Sequence, residues 1–243
     1  VTSTPAKVIA PAWEKPSSQA LDRAASTKMP LVICFPDEKD DPAAFADPEL
    51  VEMAAKDAVF IKMPYTSIRD KAPGAEESVI PTSKLLSDNP ARDYRVPVGK
   101  LTLILADCHG NEYFRLTSVP KAKELKASLE KIPAQMEKAE SRLRKNYDSA
   151  RAAWDKQDQA NALKPILKNF KEGLVGLEAQ QETITLYNQI LEAGLEKVKK
   201  AHERGDMEAL KGLSKDFKGT SVGKAADDAL KNPIARVTQE KKN

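Results

Sequence analysis

The chain has 243 residues, 39 basic and 36 acidic, with 41% apolar and 5% aromatic side chains, two Cys and two His. That length buries a core without disulfides or metals, and a net charge of only +3 with no basic block argues against an electrostatic nucleic-acid binder. The longest uncharged apolar run, residues 101–106, is far short of the roughly 20 residues that cross a bilayer, so no transmembrane segment is expected.

Punctuation and charge divide the chain near residue 120. Thirteen of the 16 Pro precede it, and charge shifts from 14 basic against 17 acidic residues to 25 against 19. The first part reads as mixed α/β and the second as nearly all helix. The small-residue, Pro-containing stretch 1–11 suits a mature N-terminus after signal-peptide removal, which predicts an exported, periplasmic or secreted protein. After an N-terminal arm, 1–12, a helix is expected over about 17–26. Residues 31–35, an apolar β-branched run closed by Pro36, form a buried strand. Residues 47–56 are a helix with Asp47 as N-cap and Pro48 at its first position. Residues 59–63, stopped by Pro64, are a second strand, and strand, helix, strand implies a parallel right-handed crossover. Residues 101–106 and 112–116 flank the turn 107–111 as an antiparallel hairpin, and 121–131 close the region as a helix.

This succession, βαβ, a variable connection, then ββα, resembles a thioredoxin-like domain over residues 13–133. Trp13 ahead of a helix and the 28–35 strand approach is similar to the opening of exported members. Residues 45–50 resemble the helix after the family's redox site, and 94–96 leading into 101–112 look like its tyrosine-containing approach and Asp-x-x-Gly-x-Glu hairpin. The resemblance implies a thioredoxin-like α/β sandwich followed by an all-α extension, 134–243. It also implies where chemistry should sit, and there the chain departs. The Cys-x-x-Cys would fall near residues 40–43, where Asp40, Asp41, Pro42 and Ala43 stand, and the cis-proline position before Thr102 is Leu101. Thiol exchange needs an attacking thiolate and a resolving thiol, so redox activity does not carry over. Asp37, Asp40, Asp41, Pro42 and Leu101 become the candidate contacts for a partner.

Cys34, inside an apolar strand, reads as an inert core thiol. Cys108 and His109, behind Asp107 in a turn expected to be exposed, suggest a nucleophilic Cys, His, Asp set, but neighbours on a hairpin rarely bring their side chains together. They remain the weaker candidates for catalysis, as a divergent thiol oxidoreductase or peroxidase. A metal carrier is the other alternative: carboxylates cluster over 37–41, yet the run has no turn Gly and no closing Glu of a calcium loop. A closed zinc site from Cys34, Cys108, His109 and His202 lacks ligand spacing. No cofactor and no metal are expected. Cys34 and Cys108, at the ends of antiparallel strands, should lie at opposite ends of the sheet.

In the second half, residues 139, 143, 147, 150 and 154 mark one face of a long helix. Helices are expected over 160–171, with Pro165 in its first turn, over a segment carrying Ile184 to Ala201, and over 207–217 and 222–231. His202 reads as a cation at a helix C-terminus, and Gly173 to Gly176 as a structural loop without phosphate-loop chemistry. Residues 205–230 resemble a degenerate tetratricopeptide-like helix pair, too few for a solenoid, and the heptad-like stretches would also suit a homodimer. The expected function is a redox-inactive protein-binding or scaffolding module.

Overall fold

A computed structural model describes residues 10–39, 41–65 and 79–232. It forms two compact units. The first is Val1–Ser141 with Gly173–Leu177, and the second is Arg142–Glu172 with Glu178–Asn243. The sequence reading sets its boundary at residue 133, within the first unit's share of the chain.

The first unit holds α1 (Ser18–Thr27), β1 (Leu31–Phe35), a 3-10 turn (Pro42–Phe45), α2 (Pro48–Lys56), β2 (Val59–Lys62), α3 (Pro90–Asp93), β3 (Thr102–Ala106), β4 (Glu112–Leu116), α4 (Ala122–Leu129) and the start of α5 (Ile132–Asp155). Start signals act where they stand in the sequence: the side chains of Ser17, Asp47 and Asn89 accept from Ala20, Glu49 and Arg92 backbone N–H groups at the heads of α1, α2 and α3. The short α3 is new to the sequence reading, although Asn89 followed by Pro90 carries its signal.

The strands form one mixed sheet in the order β2-β1-β3-β4. β1 runs parallel to β2, with Ile33 opposite Ile61, and antiparallel to β3, with Ile33 opposite Ile104. The β3–β4 hairpin is antiparallel and carries an irregularity at Leu105 and Ala106. Because side chains alternate faces along a strand, Leu31, Ile33 and Phe35 pack with Ala20 and Ala24 of α1 and with Tyr94 and Val96. Val32 and Cys34 face the other way, onto Leu50 and Met53 of α2 and Leu125 and Leu129 of α4. The sheet is buried on both faces, so β1 reads as an unbroken apolar run rather than an alternating one. Ahead of α1, Glu14 donates to the Phe60 carbonyl and its own carbonyl accepts from Lys62, adding a one-residue bridge beyond β2.

The second unit comprises the rest of α5 with α6 (Gln159–Glu172), α7 (Glu178–Glu203), α8 (Met207–Asp216) and α9 (Ser221–Lys231). Phe170 and Tyr187 meet edge to face at 5.1 Å. Fully buried Asn169 donates to the Leu143 carbonyl and to Thr183 Oγ1, each at about 3 Å, so a polar residue fixes the alignment of three helices. Pro165 lies inside α6 rather than in its first turn, and the missing N–H leaves the Asn161 carbonyl without its helical donor. His202 lies in the last turn of α7, as expected, and its Nε2 meets the Asn232 carbonyl at 2.8 Å, at the end of α9. No helix among the described residues is long and apolar enough to cross a membrane.

Candidate functional site

The C-terminal end of β1 opens into a cavity of about 100 Å³ lined by Cys34, Pro36, Asp37, Lys39, Asp41, Ala44, Phe45 and Leu101. Each wall has a local cause. Pro36 stops β1 and turns the chain out of the sheet. Asp37 accepts from the Lys39 backbone N–H at 3.1 Å, shaping the loop. Asp41 accepts from Ala43 N–H at 2.9 Å and so starts the 3-10 turn that carries Ala44 and Phe45. Phe45 is fixed from behind by Trp13, whose ring meets it edge to face at 5.1 Å and also meets Phe60 at 5.2 Å. Leu101 precedes β3, which begins one residue later than expected, at Thr102. The structure therefore brings three of the predicted contacts, Asp37, Asp41 and Leu101, to one opening. Pro42 takes the first position of the 3-10 turn, and Asp40 lies outside the described residues. Phe45, Ala44, Lys39 and the base formed by Cys34 join them. Sequence reasoning treated Cys34 as core only, and it is indeed 1% exposed.

Beside Pro36 on the same edge, a smaller recess with room for about one water is lined by Phe35, Pro64, Tyr65, Val96, Pro97 and Lys100, among others. Tyr65 donates to Glu38 Oε1 at 3.2 Å, and burial together with that carboxylate raises its phenol above the ordinary tyrosine value. Both recesses sit where parallel strands β1 and β2 end, the edge at which open α/β sheets present ligand sites.

The opposite end of the sheet is closed. Asp107 is fully buried; one carboxylate oxygen accepts from the backbone N–H of His109 at 2.9 Å and of Asn111 at 3.0 Å, and the other from Asn111 Nδ2 at 2.8 Å. Asn111 then pairs with Val175 as a second backbone would. It donates to the Val175 carbonyl at 2.8 Å and accepts from the Val175 N–H at 2.9 Å. Gly176 has φ +76° and lies so near that a Cβ there would overlap the His109 ring. Tyr94 donates to the Gly110 carbonyl at 2.7 Å; burial, and then the Asp107 and Glu112 carboxylates, push its phenol well above the usual range.

This end corrects the expectation of an exposed Cys108. The residue is 7% exposed and belongs to the core cluster beneath α1, while His109 faces Gly176, so the two do not assemble a nucleophilic set. Burial, with Asp107 as the second cause, raises the Cys108 thiol, opposite to what an activated nucleophile requires. Cys34 and Cys108 remain thiols at opposite ends of the sheet. Among the described residues, no three His, Cys, Asp or Glu side chains converge to hold a metal ion. Comparisons with protein-family models, with curated proteins and with solved structures find no match to this chain.

Proposed function

We propose that the chain is a redox-inactive, thioredoxin-like protein-binding module, its first unit receiving a protein partner at the open end of the sheet and its helices serving as scaffold. The observation that carries this reading is the cavity at the end of β1. Where the resembled family keeps paired thiols, this chain arranges Asp37, Lys39 and Asp41 around walls of Phe45, Ala44 and Leu101. The strand order and the parallel-then-antiparallel pairing are what a thioredoxin-like βαβ plus ββα domain requires, and they support the resemblance. Disulfide exchange by a thiolate and a resolving thiol has little to work with, since Cys34 is only 1% exposed at the cavity base and Cys108 is raised and at the other end of the sheet.

The test places a photo-crosslinking amino acid at Leu101 of the full chain in the source cells, with Lys123 on the exposed side of α4 as control. A discrete adduct from position 101, absent from 123 and unchanged in the Cys34→Ser/Cys108→Ser variant, is the expected result. Turnover of insulin disulfides or of peroxide that disappears in Cys108→Ser would overturn the proposal in favour of an enzyme.

A further inference from the structure

We infer that the cavity at the end of β1 takes an aliphatic side chain of an extended segment in a partner protein, and that this segment carries Lys or Arg beside the anchor. The inference rests on the protein-binding reading above and names its partner's chemistry.

Size sets the anchor. An apolar cavity of about 150 Å³ accommodates benzene, so one of about 100 Å³ suits the smaller branched group of Leu, Ile or Val and rejects an indole or a phenol. The walls agree, because Cys34, Ala44, Phe45 and Leu101 offer no hydrogen-bonding side chain except a thiol, and burying a branched aliphatic side chain there removes apolar surface from water on both partners. Phe45 is braced by Trp13 and Cys34 by the sheet, so little ordering remains for the moment of binding.

Charge sets the flanking residues. The described part of the loop, 37–39 and 41, carries three carboxylates, Asp37, Glu38 and Asp41, against the single ammonium of Lys39. Asp37 and Asp41 line the opening itself, each already oriented by a backbone N–H of the loop. A segment entering with a cation beside its anchor meets complementary potential at the rim, and an acidic segment meets repulsion. A strand end with Pro36, Pro64 and Pro97 nearby cannot continue its own ladder there, which leaves room for an extended chain to pass.

The experiment pans a random heptapeptide display library against the full chain, then measures a synthetic peptide of the enriched sequence against wild type, Ala44→Leu and Asp37→Asn/Asp41→Asn. Ala44 is exposed and lines the cavity, so leucine there occupies the anchor's place. Asparagine keeps both loop hydrogen bonds while removing the charges. The expected outcome is enrichment of Leu, Ile or Val within two positions of Lys or Arg. With it comes a loss of about tenfold or more in affinity with Ala44→Leu, and in Asp37→Asn/Asp41→Asn a loss of the basic preference with the aliphatic one kept. Enrichment of aromatic or acidic peptides, no enrichment, or binding indifferent to Ala44→Leu would overturn it. So would concentration-dependent self-association abolished by Ala44→Leu, which would make the occupant a second copy. If these fail while the Leu101 cross-link persists, the inference falls and the protein-binding reading stands; if the cross-link is also absent, both fall.

Discussion

The two ends of the sheet use the same residue types to opposite effect. At the end of β3, Asp107 is fully buried, three N–H groups converge on it, and Asn111, Tyr94 and the loop Gly173–Leu177 close over the turn. At the end of β1, Asp37 and Asp41 each accept from a backbone N–H of the loop at the rim of an opening. A buried carboxylate must have its partners within the fold, because desolvating it without them costs several kcal/mol. A solvated one retains its interaction with water and with whatever arrives. The closed end therefore concerns stability, and the open end is where we propose recognition.

Substitutions at the two ends should separate these roles. Asp107→Ala removes the acceptor of three donors, two of the bonds buried and one part-buried, and is expected to cost about 3–5 kcal/mol, read as a lowered urea midpoint. Asn111→Ala, which leaves the Val175 N–H and carbonyl unpaired, should cost about 2–3 kcal/mol by the same measurement. Tyr94→Phe loses one buried hydrogen bond, about 1–2 kcal/mol, and also changes the response to alkali. The fold holds the Tyr94 proton beyond the pH of about 10 at which the unfolded chain releases it. Its contribution is therefore complete below pH 10 and is lost as pH rises toward the higher folded value. Unfolding at pH 8 and pH 11 should show a smaller stability loss in Tyr94→Phe than in wild type. At the open end, Asp41→Asn keeps the cap and should move the midpoint by less than about 0.5 kcal/mol. A loss there comparable to that of Asp107→Ala would erase the distinction between the two ends.

Much of the first unit was legible because its signals are local. An apolar run closed by Pro36 made β1; Asp47 and Pro48 started α2; a Gly-containing turn joined β3 to β4. The site was legible in part, for Asp37, Asp41 and Leu101 do meet at one opening, although nothing in the spacing identified Phe45 as a wall, since its position follows from the distant Trp13. The misreading of Cys108 has the same origin. A turn of Asp, Cys, His, Gly and Asn is ordinarily solvated, and what covers this one, Val175 and Gly176, stands more than sixty positions away in sequence. Pro165 was misplaced for a different reason: counted from either start, 159 or 160, it lies beyond the first turn of about 3.6 residues, where a proline removes a helical N–H.

The wedge of Trp13 behind Phe45 gives the molecule an optical gauge. The chain has only two indoles, and the second, Trp154, belongs to α5 in the other unit. With Trp154→Phe, all remaining indole emission originates one ring contact from the cavity wall. A ligand that displaces Phe45 or excludes water from its edge registers as a change in colour or intensity of that emission, so occupancy can be followed in real time without attaching a dye.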